Sequence, residues 1–227
     1  MFFWESLQTA LALIGSLDRE VTAAVRTSLT VSAWAICISA LAGIPAGVAI
    51  AINNFPLKRA LLTLLNTLMA MPTVVIGLLV YAFISRQGPL GELGLLFTPA
   101  AMVIGQTLLA LPIVIHYCVS TIKGADPRIL PTVATLGAGP IQGTIQLVRE
   151  VRFGIMAAVI AAFGRVIAEV GVAMMLGGNI RGYTRTMTTA IALETSKGEF
   201  AFGLALGGIL MAIAFAVNLA LNLLQER

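Results

Sequence analysis

Charged residues are scarce in this sequence. Asp, Glu, Lys and Arg make up 11% of its 227 residues, against about 25% in soluble domains. Hydrophobic residues make up 59%, and the mean hydropathy is +0.98. So little polarity cannot keep a globule in water, which excludes a soluble domain and indicates a membrane protein. The net charge of +4 is then expected in loops beside lipid headgroups, and no nucleic-acid partner is expected.

Cysteine and histidine are also rare. Cys37 and Cys118 lie inside apolar runs, where neither a disulfide framework nor a metal cage can form. The single histidine, His116, has no companion ligands, so we interpret it as an interfacial polar group; proton coupling is disfavoured but stays open. No metal site is predicted.

Motifs for chemistry are missing as well. The chain has no G-x-x-x-x-G-K-[ST] phosphate-binding motif, no Ser/His/Asp grouping and no pair of carboxylates suited to a cleft. We therefore predict that the chain is not an enzyme and holds no cofactor.

Long uncharged runs are what the sequence does have. Crossing about 30 Å of hydrocarbon takes about 20 mostly apolar residues. Four uncharged runs are longer than this, and a fifth apolar run carries Arg165 and Glu169. The sequence predicts an all-α polytopic membrane protein with about five transmembrane helices, which would place the termini on opposite sides. The predicted spans are about 27–53, 60–85, 98–120, 153–175 and 200–224.

Residues 1–20 form a separate predicted segment before the membrane domain, 21–227. Glu5 and the absence of an early Lys or Arg argue against a signal peptide. We predict an amphipathic helix lying in the membrane interface, ended by Ser16-Leu17-Asp18, which can cap the next helix. Its apolar positions recur at helical spacing: Phe3, Leu7, Leu11, Ile14 and Leu17.

The loop 121–152 is long and punctuated by glycine and proline. Asp126-Pro127 is typical of a helix start, Gly137 of a helix end, and Gly139-Pro140 of a second start. The sequence predicts a short helix, a glycine corner and another helix. A structured insertion of this length between two spans indicates a site for a protein partner.

This loop resembles the cytoplasmic coupling loop of ABC importer permeases. Gly137, with Leu136 and Ala138 beside it, matches the family's glycine. Pro131-Thr132-Val133 departs from the family's Glu-Ala-Ala, and Leu147–Glu150 departs from its Ile-x-Leu-Pro. The resemblance implies contact with an ATPase through Thr132, Val133, Ala134, Leu136, Gly137 and Ala138.

A second stretch, GRVIAEVGVAMMLGGNIRGYTRTMTTAIALETSKGEF, resembles the permeases of molybdate and tungstate importers. Gly164, Arg165, Glu169 and Gly171 match a core that both branches share, and GGNIRGYTR is of the tungstate type. The likeness covers the chain from Ser28 onward. It implies a homodimer in the lipid of a bacterial or archaeal cytoplasmic (inner) membrane, with an ABC ATPase dimer inside and an oxyanion-binding protein outside.

Loop charges alone do not fix the orientation, because the two sides carry nearly equal numbers of Lys and Arg. One side would carry Lys58, Arg59, Lys123, Arg128, Arg149, Arg152 and Arg227, and the other Arg19, Arg26, Arg86, Arg181, Arg185 and Lys197. The resemblance implies that the Gly137 loop and the C terminus are inside and the N terminus outside.

Arg165 and Glu169 are four residues apart, on one helical face inside a span. Intramembrane charges usually face the bundle interior or an aqueous path. Two hypotheses stay open: Arg165 lines or gates an anion path while Glu169 restrains it, or the pair locks this helix to a neighbour. Pro72 and Pro112, near the middle of two other spans, are candidate gate hinges, although packing alone would also explain them.

The outer segment before the last span is rich in hydroxyls and arginines, which suit an oxyanion. Two hypotheses stay open here, a substrate site and a loop that docks the binding protein, and we favour docking and gating. The residues concerned are Asn179, Arg181, Tyr183, Thr184, Arg185 and Thr188.

A secondary transporter or channel for a small anion is the alternative class. Such folds usually show two related halves with broken helices at matching positions. Five spans with one large structured loop do not divide in that way.

Overall fold

The computed structural model describes residues 2–225, and all regular secondary structure within that range is helical. Met1 and Arg227, which bound the predicted domain ranges, lie outside the described residues. The described part contains α1 (Phe2–Gly15), α2 (Arg19–Ile52), α3 (Lys58–Met69), α4 (Thr73–Ile84), α5 (Pro99–Lys123), α6 (Ile129–Thr135), α7 (Pro140–Glu150), α8 (Arg152–Ile167), α9 (Gly171–Gly177), α10 (Met187–Lys197) and α11 (Phe200–Gln225). A 3-10 helix, Gly91–Leu93, precedes α5.

The amphipathic segment ends where the sequence predicts. Leu17 takes a left-handed conformation (φ 51°), and the Asp18 carboxylate accepts hydrogen bonds from the amides of Glu20 and Val21. The N-cap therefore starts α2 at Arg19, eight residues before the predicted span start at 27. Helix α1 packs along α11, and Ala10 is buried in that contact.

Helix α5 is the centre of the bundle and packs against α2, α3, α4, α8 and α9. Its approach to α2 depends on Gly43 and Gly47, a G-x-x-x-G pair that lets two backbones come close. A Cβ on Gly47 would lie 2.7 Å from Cys118 Cβ, and one on Gly43 would lie 3.0 Å from Val114 Cγ1. Pro112 is buried inside α5, which continues through it.

The predicted span 60–85 is two helices rather than one. Helices α3 and α4 are bent by 98° at residues 70–72. Pro72 lies immediately before α4 and cannot continue α3, because it has no amide hydrogen to donate. Helix α3 packs with the last part of α5 through Leu65, and α4 packs with the first part of α5 and with α9 through Ile76.

The predicted span 153–175 is divided as well. Helix α8 ends at Ile167 and α9 begins at Gly171, with a bend of 60° between them. Among the helices of the described part, three are long and apolar enough to cross a membrane alone: α2, α5 and α11. The count reaches the predicted five when each bent pair is one span.

The segment before the last span is more ordered than a loop. Helix α10 packs against α11 and α2, and its first residues, Met187 to Ala190, are buried. The Met187 amide donates to Ser28 Oγ at 2.8 Å, which ties this segment to α2. Helix α11 then occupies the range predicted for the last span.

Candidate functional site

The two helix breaks meet inside the bundle. A Cβ on Gly171, the first residue of α9, would lie 2.9 Å from Thr73 Oγ1 and 3.3 Å from Glu169 Oε1. Only a residue without a side chain allows the start of α4 to come this close to the start of α9. We call Thr73, Arg165, Glu169 and Gly171 the break junction.

Glu169 holds the break junction together. Its Oε2 accepts from Arg165 Nη1 at 2.9 Å, and its Oε1 accepts from the Val172 amide at 3.2 Å. Its own carbonyl oxygen accepts from Thr188 Oγ1 at 2.8 Å. Glu169 lies in the break rather than within a continuous helix, so its carboxylate serves one of the free amides at the start of α9.

The two members of the ion pair differ sharply in exposure. The Glu169 side chain is 2% exposed, whereas that of Arg165 is 45% exposed. Arg165 therefore offers its remaining N–H donors away from the protein interior, beside a fixed negative charge. An arginine in this position can donate directed hydrogen bonds to an oxyanion. The neighbouring Glu169 carboxylate offsets part of its positive charge.

The prolines predicted as hinges differ in position. Pro72 lies at the α3–α4 break, next to Thr73 of the break junction. Pro112 is buried where α5 is continuous, so the structure shows no break there.

The loop 121–152 has the predicted helix, corner and helix. Gly137 has φ of +85°, the Gly137 amide donates to the Ala134 carbonyl, and the Ala138 amide donates to the Val133 carbonyl. These two bonds define a Schellman ending for α6. Within residues 2–225, no atom outside the neighbouring residues lies within 4 Å of a Cβ at Gly137, so the backbone rather than space requires glycine there.

The start of the loop differs slightly from the prediction. Asp126 does accept a hydrogen bond from the Arg128 amide through its carboxylate, at 2.8 Å. The residues after it form a turn, however, and α6 begins only at Ile129.

The ATPase-contact residues implied by the resemblance are mostly on the surface. Thr132, Ala134, Leu136 and Gly137 are exposed, and Val133 and Ala138 are half-buried. The sequence reasoning included Leu136 but missed three other exposed apolar side chains near it, Leu130, Ile141 and Ile145. Leu130, Leu136, Ile141 and Ile145 are exposed, with Leu136 at 82%, and we call these four the coupling face. On α7, Ile141 and Ile145 are four residues apart and share one helical face, whereas the buried Leu147 lies on another side of that helix. This spacing is the sequence signal that could have identified the coupling face.

The segment 179–188 is only partly available to a partner. Thr184 is fully buried; its hydroxyl donates to the Gly177 carbonyl and accepts from the Ile180 amide. Thr188 is buried against Glu169. The docking or gating role predicted for these two threonines stays a prediction, and their buried hydroxyls, which bond the chain itself, favour gating over docking. Asn179 is half-buried and donates to the Thr189 carbonyl.

Arg181 and Tyr183 are exposed, and Arg185 is largely enclosed. Arg181 pairs with Glu20 at the start of α2, and Arg185 pairs with Glu194, which also pairs with Lys197. The acidic partners were not predicted, because they lie far away in sequence or on α10. A cavity of about 400 Å³ lies among these ion pairs. Its charged lining residues are Asp18, Glu20, Arg181, Arg185, Glu194, Lys197 and Glu199.

Comparison with known proteins was made on the whole chain. Residues 43–227 match the family described as "Binding-protein-dependent transport system inner membrane component". The chain is 41% identical over 225 residues to the tungstate uptake system permease protein TupB of Campylobacter jejuni, covering 99% of this chain and 94% of the relative. It is 40% identical over 222 residues to TupB of Peptoclostridium acidaminophilum, covering 98% and 97%.

The fold also has a solved counterpart. A chain from inward-facing structures of the MetNI methionine ABC transporter superposes with a TM-score of 0.74, at 13% identity. The similarity covers 90% of this chain and 94% of that one. At this identity the likeness concerns the fold alone.

Proposed function

The chain belongs to the family of binding-protein-dependent transport system inner membrane components, and from that premise we propose that it is the permease subunit of an ABC importer for tungstate. The observation that carries the substrate is the identity of 40–41%, over nearly the whole chain, with two tungstate uptake permeases. As a multi-pass inner-membrane protein, the chain supplies the anion path. Discrimination between tungstate and molybdate is assigned mainly to the binding protein.

The remaining parts of the importer are other chains. We propose a homodimer of this permease in the lipid bilayer, with an ATPase dimer on the cytoplasmic side and an oxyanion-binding protein outside. The N terminus is then outside and the C terminus inside. Hydrolysis belongs to the ATPase, because this chain carries no phosphate-binding motif.

The coupling face is the proposed contact with the ATPase. Exposed apolar side chains beside a rigid glycine corner suit a protein groove, since burial of apolar area drives association. Leu147 anchors α7 to α5 and α8 through Cys118, Ile122 and Ile155. A push or pull on the coupling face is therefore passed to spans that reach the break junction, and the two permease copies rock between inward-open and outward-open states.

The break junction is the proposed gate of the anion path. Half-exposed Arg165 attracts the dianion, and buried Glu169 keeps the site from holding it too tightly, because conduction needs binding that is weak enough to release. Pro72 places the α3–α4 hinge beside this gate. Pro112 is retained only as a second hinge, which would operate by bending α5 and not at a break.

A purely structural role for the ion pair is the competing hypothesis. In that case Arg165 and Glu169 fix the α8–α9 bend and the anion passes elsewhere. The Glu169 hydrogen bond to Val172 favours a structural contribution, and the exposure of Arg165 favours the path.

The outer docking role is proposed for the exposed residues Arg181 and Tyr183. Their loop is tied to Glu20 of α2 by an ion pair. Binding of a protein with an acidic face would compete with Glu20 for Arg181. Arg185, Asn179, Thr184 and Thr188 support this loop from within and gate it only by holding its shape.

A secondary transporter or channel remains the alternative, and the two broken spans are the feature that would favour it. The breaks do not match, however: one joins helices of 12 and 12 residues at 98°, the other helices of 16 and 7 residues at 60°. This mismatch and the family membership both favour the importer.

The test is ATP hydrolysis by the reconstituted complex. The permease is placed in liposomes with its ATPase and binding protein, and hydrolysis is measured with tungstate, molybdate or sulfate. We expect stimulation at the lowest concentration with tungstate, and none when the binding protein is omitted. Stimulation by another oxyanion alone would contradict the substrate, and stimulation by none in an assembled complex would contradict the importer of oxyanions.

A further inference from the structure

Three helix ends meet at one corner of the molecule. Helix α2 ends at Ile52, α3 begins at Lys58, and α5 ends at Lys123. They enclose an open cavity of about 520 Å³. Its lining residues are Asn54, Phe55, Leu57, Lys58, Arg59, Leu62 and Lys123.

The lining of this corner is basic, and none of its residues is acidic. Lys58 Nζ donates to the carbonyls of Asn53, at 2.7 Å, and Ala51, at 3.1 Å, and so caps the end of α2. Arg59 and Lys123 are exposed, and within residues 2–225 neither takes part in an ion pair. The lining of the corner therefore carries positive charge and no carboxylate.

Apolar side chains stand beside these cations. Leu57 is 79% exposed, and Phe55 is exposed next to it. Leu57 also has a left-handed backbone (φ 69°), a conformation that leucine rarely adopts. The chain thus turns tightly while it holds an apolar side chain outward beside basic ones, an arrangement that suits the boundary between acyl chains and headgroups.

The corner also lies at the right depth for headgroups. At 1.5 Å per residue the 25 residues of α5 extend over about 37 Å, and the hydrocarbon layer is about 30 Å thick. With α5 centred in the hydrocarbon, each end extends about 4 Å beyond it, which puts Lys123, the last residue of α5, at the headgroups. On the orientation proposed above, this is the cytoplasmic leaflet, where anionic lipids attract basic segments.

We propose that this corner binds the phosphate of an anionic phospholipid. Arg59 and Lys123 hold the phosphate from two helix ends, and Phe55 and Leu57 lie among the first carbons of the acyl chains. Lys58 has its donors on backbone carbonyls and fixes the corner instead of binding the lipid. The site rests on the membrane embedding and the orientation, and not on which anion is transported.

The test measures lipid retention by the purified permease without its ATPase. The protein is extracted from nanodiscs that contain equal amounts of phosphatidylglycerol and phosphatidylcholine, and bound lipids are counted by native mass spectrometry. We expect selective retention of phosphatidylglycerol. Arg59→Gln/Lys123→Gln should lower that selectivity about 10- to 30-fold, because each cation near the surface contributes about a fivefold factor.

Two further variants keep the result interpretable. Arg19→Gln/Arg86→Gln removes the same charge at the opposite end of the spans and should retain the lipid like the unmodified chain. Arg59→Lys/Lys123→Arg keeps the charge at the corner and should also retain it. The proposal is overturned if the glutamine variant at the corner keeps its selectivity, or if the opposite-end control loses as much.

The ATPase is the competing occupant of this corner. If the corner glutamine variant keeps its phosphatidylglycerol but no longer co-purifies with the ATPase, the corner is a protein contact and the lipid site is wrong. Excess inorganic phosphate should not displace the bound lipid; displacement would mean a free-anion site instead. If the complex with the unmodified permease shows no stimulation by tungstate while the unmodified permease still retains phosphatidylglycerol, only the proposed function is contradicted.

Discussion

The pairing of Arg165 with Glu169 was predicted from the sequence, because residues four apart share one helical face. What the spacing could not predict is that α8 ends between them, at Ile167. The pair therefore joins a helix to the break that follows it. This detail follows from the packing of Gly171 against Thr73, a contact between residues 98 positions apart in sequence that no local pattern contains.

We predict unequal costs for the two halves of this ion pair. Arg165→Gln leaves a buried carboxylate without its counter-charge and should lower the free energy of unfolding by about 1–3 kcal/mol. Glu169→Gln should cost less, because Arg165 is half-exposed and the new amide oxygen can still accept from Val172. Thermal unfolding of the two single variants and the double variant in detergent checks the order. Equal stability of the two single variants would contradict it.

The same variants separate the gate from the lock. If Arg165 lines the anion path, Arg165→Gln should transport slowly even where it assembles normally, and Arg165→Lys should recover part of the rate because it restores the charge. Full transport by an assembled Arg165→Gln variant would leave the pair with a structural role only.

Threonine hydroxyls were the least predictable site residues. The sequence of the outer segment is polar, and polarity usually indicates exposure. Thr184 and Thr188 instead satisfy the carbonyls of Gly177 and Glu169, which the ends of α9 and α8 leave free. The two hydroxyls therefore stabilise the main chain around α9.

At the scale of elements, the sequence predicted where the spans lie but not that two of them break. Pro72 was a signal for the first break, although proline often only bends a helix. The second break has no proline, and the apolar run from Phe153 to Met175 hides it. The sequence analysis did not use the G-x-x-x-G pair at Gly43 and Gly47, which allows the close approach of α2 to α5.

The glycine corner of the loop gives the sharpest prediction for an element. Gly137→Val should strain the left-handed position by about 1–2 kcal/mol and reduce ATP hydrolysis that is coupled to transport. Gly137→Asn should be milder, because asparagine tolerates this conformation and no atom obstructs its Cβ. Hydrolysis and uptake measured on the same vesicles check this. Normal coupling in the valine variant would refute the requirement.

At the scale of the whole molecule, class and family were readable from the sequence, because apolar runs extend over most of the chain and two shorter motifs carry the family resemblance. Orientation was not, since the basic residues divide almost evenly between the two sides. The MetNI similarity adds the arrangement of the helices and leaves orientation open.

Orientation can be measured with single cysteines. The native thiols are removed first by Cys37→Ala/Cys118→Ala. Leu136→Cys on the coupling face should then react with an impermeant maleimide only after the cells are opened, whereas Tyr183→Cys should react in intact cells. The permease is produced without its partner subunits; both positions are then exposed, so access to the reagent depends on the side of the membrane. Labelling of Leu136→Cys in intact cells would reverse the orientation.

The break junction also sets the energetic cost of moving the spans that meet there. Within the described residues no main-chain hydrogen bond joins α3 to α4 or α8 to α9, and in the second case the Glu169 side chain makes the connection. Rotation of the two helices about such a break therefore breaks no main-chain hydrogen bond of either helix. Each broken span can therefore tilt its two helices separately, whereas α5, which has no break, can only bend.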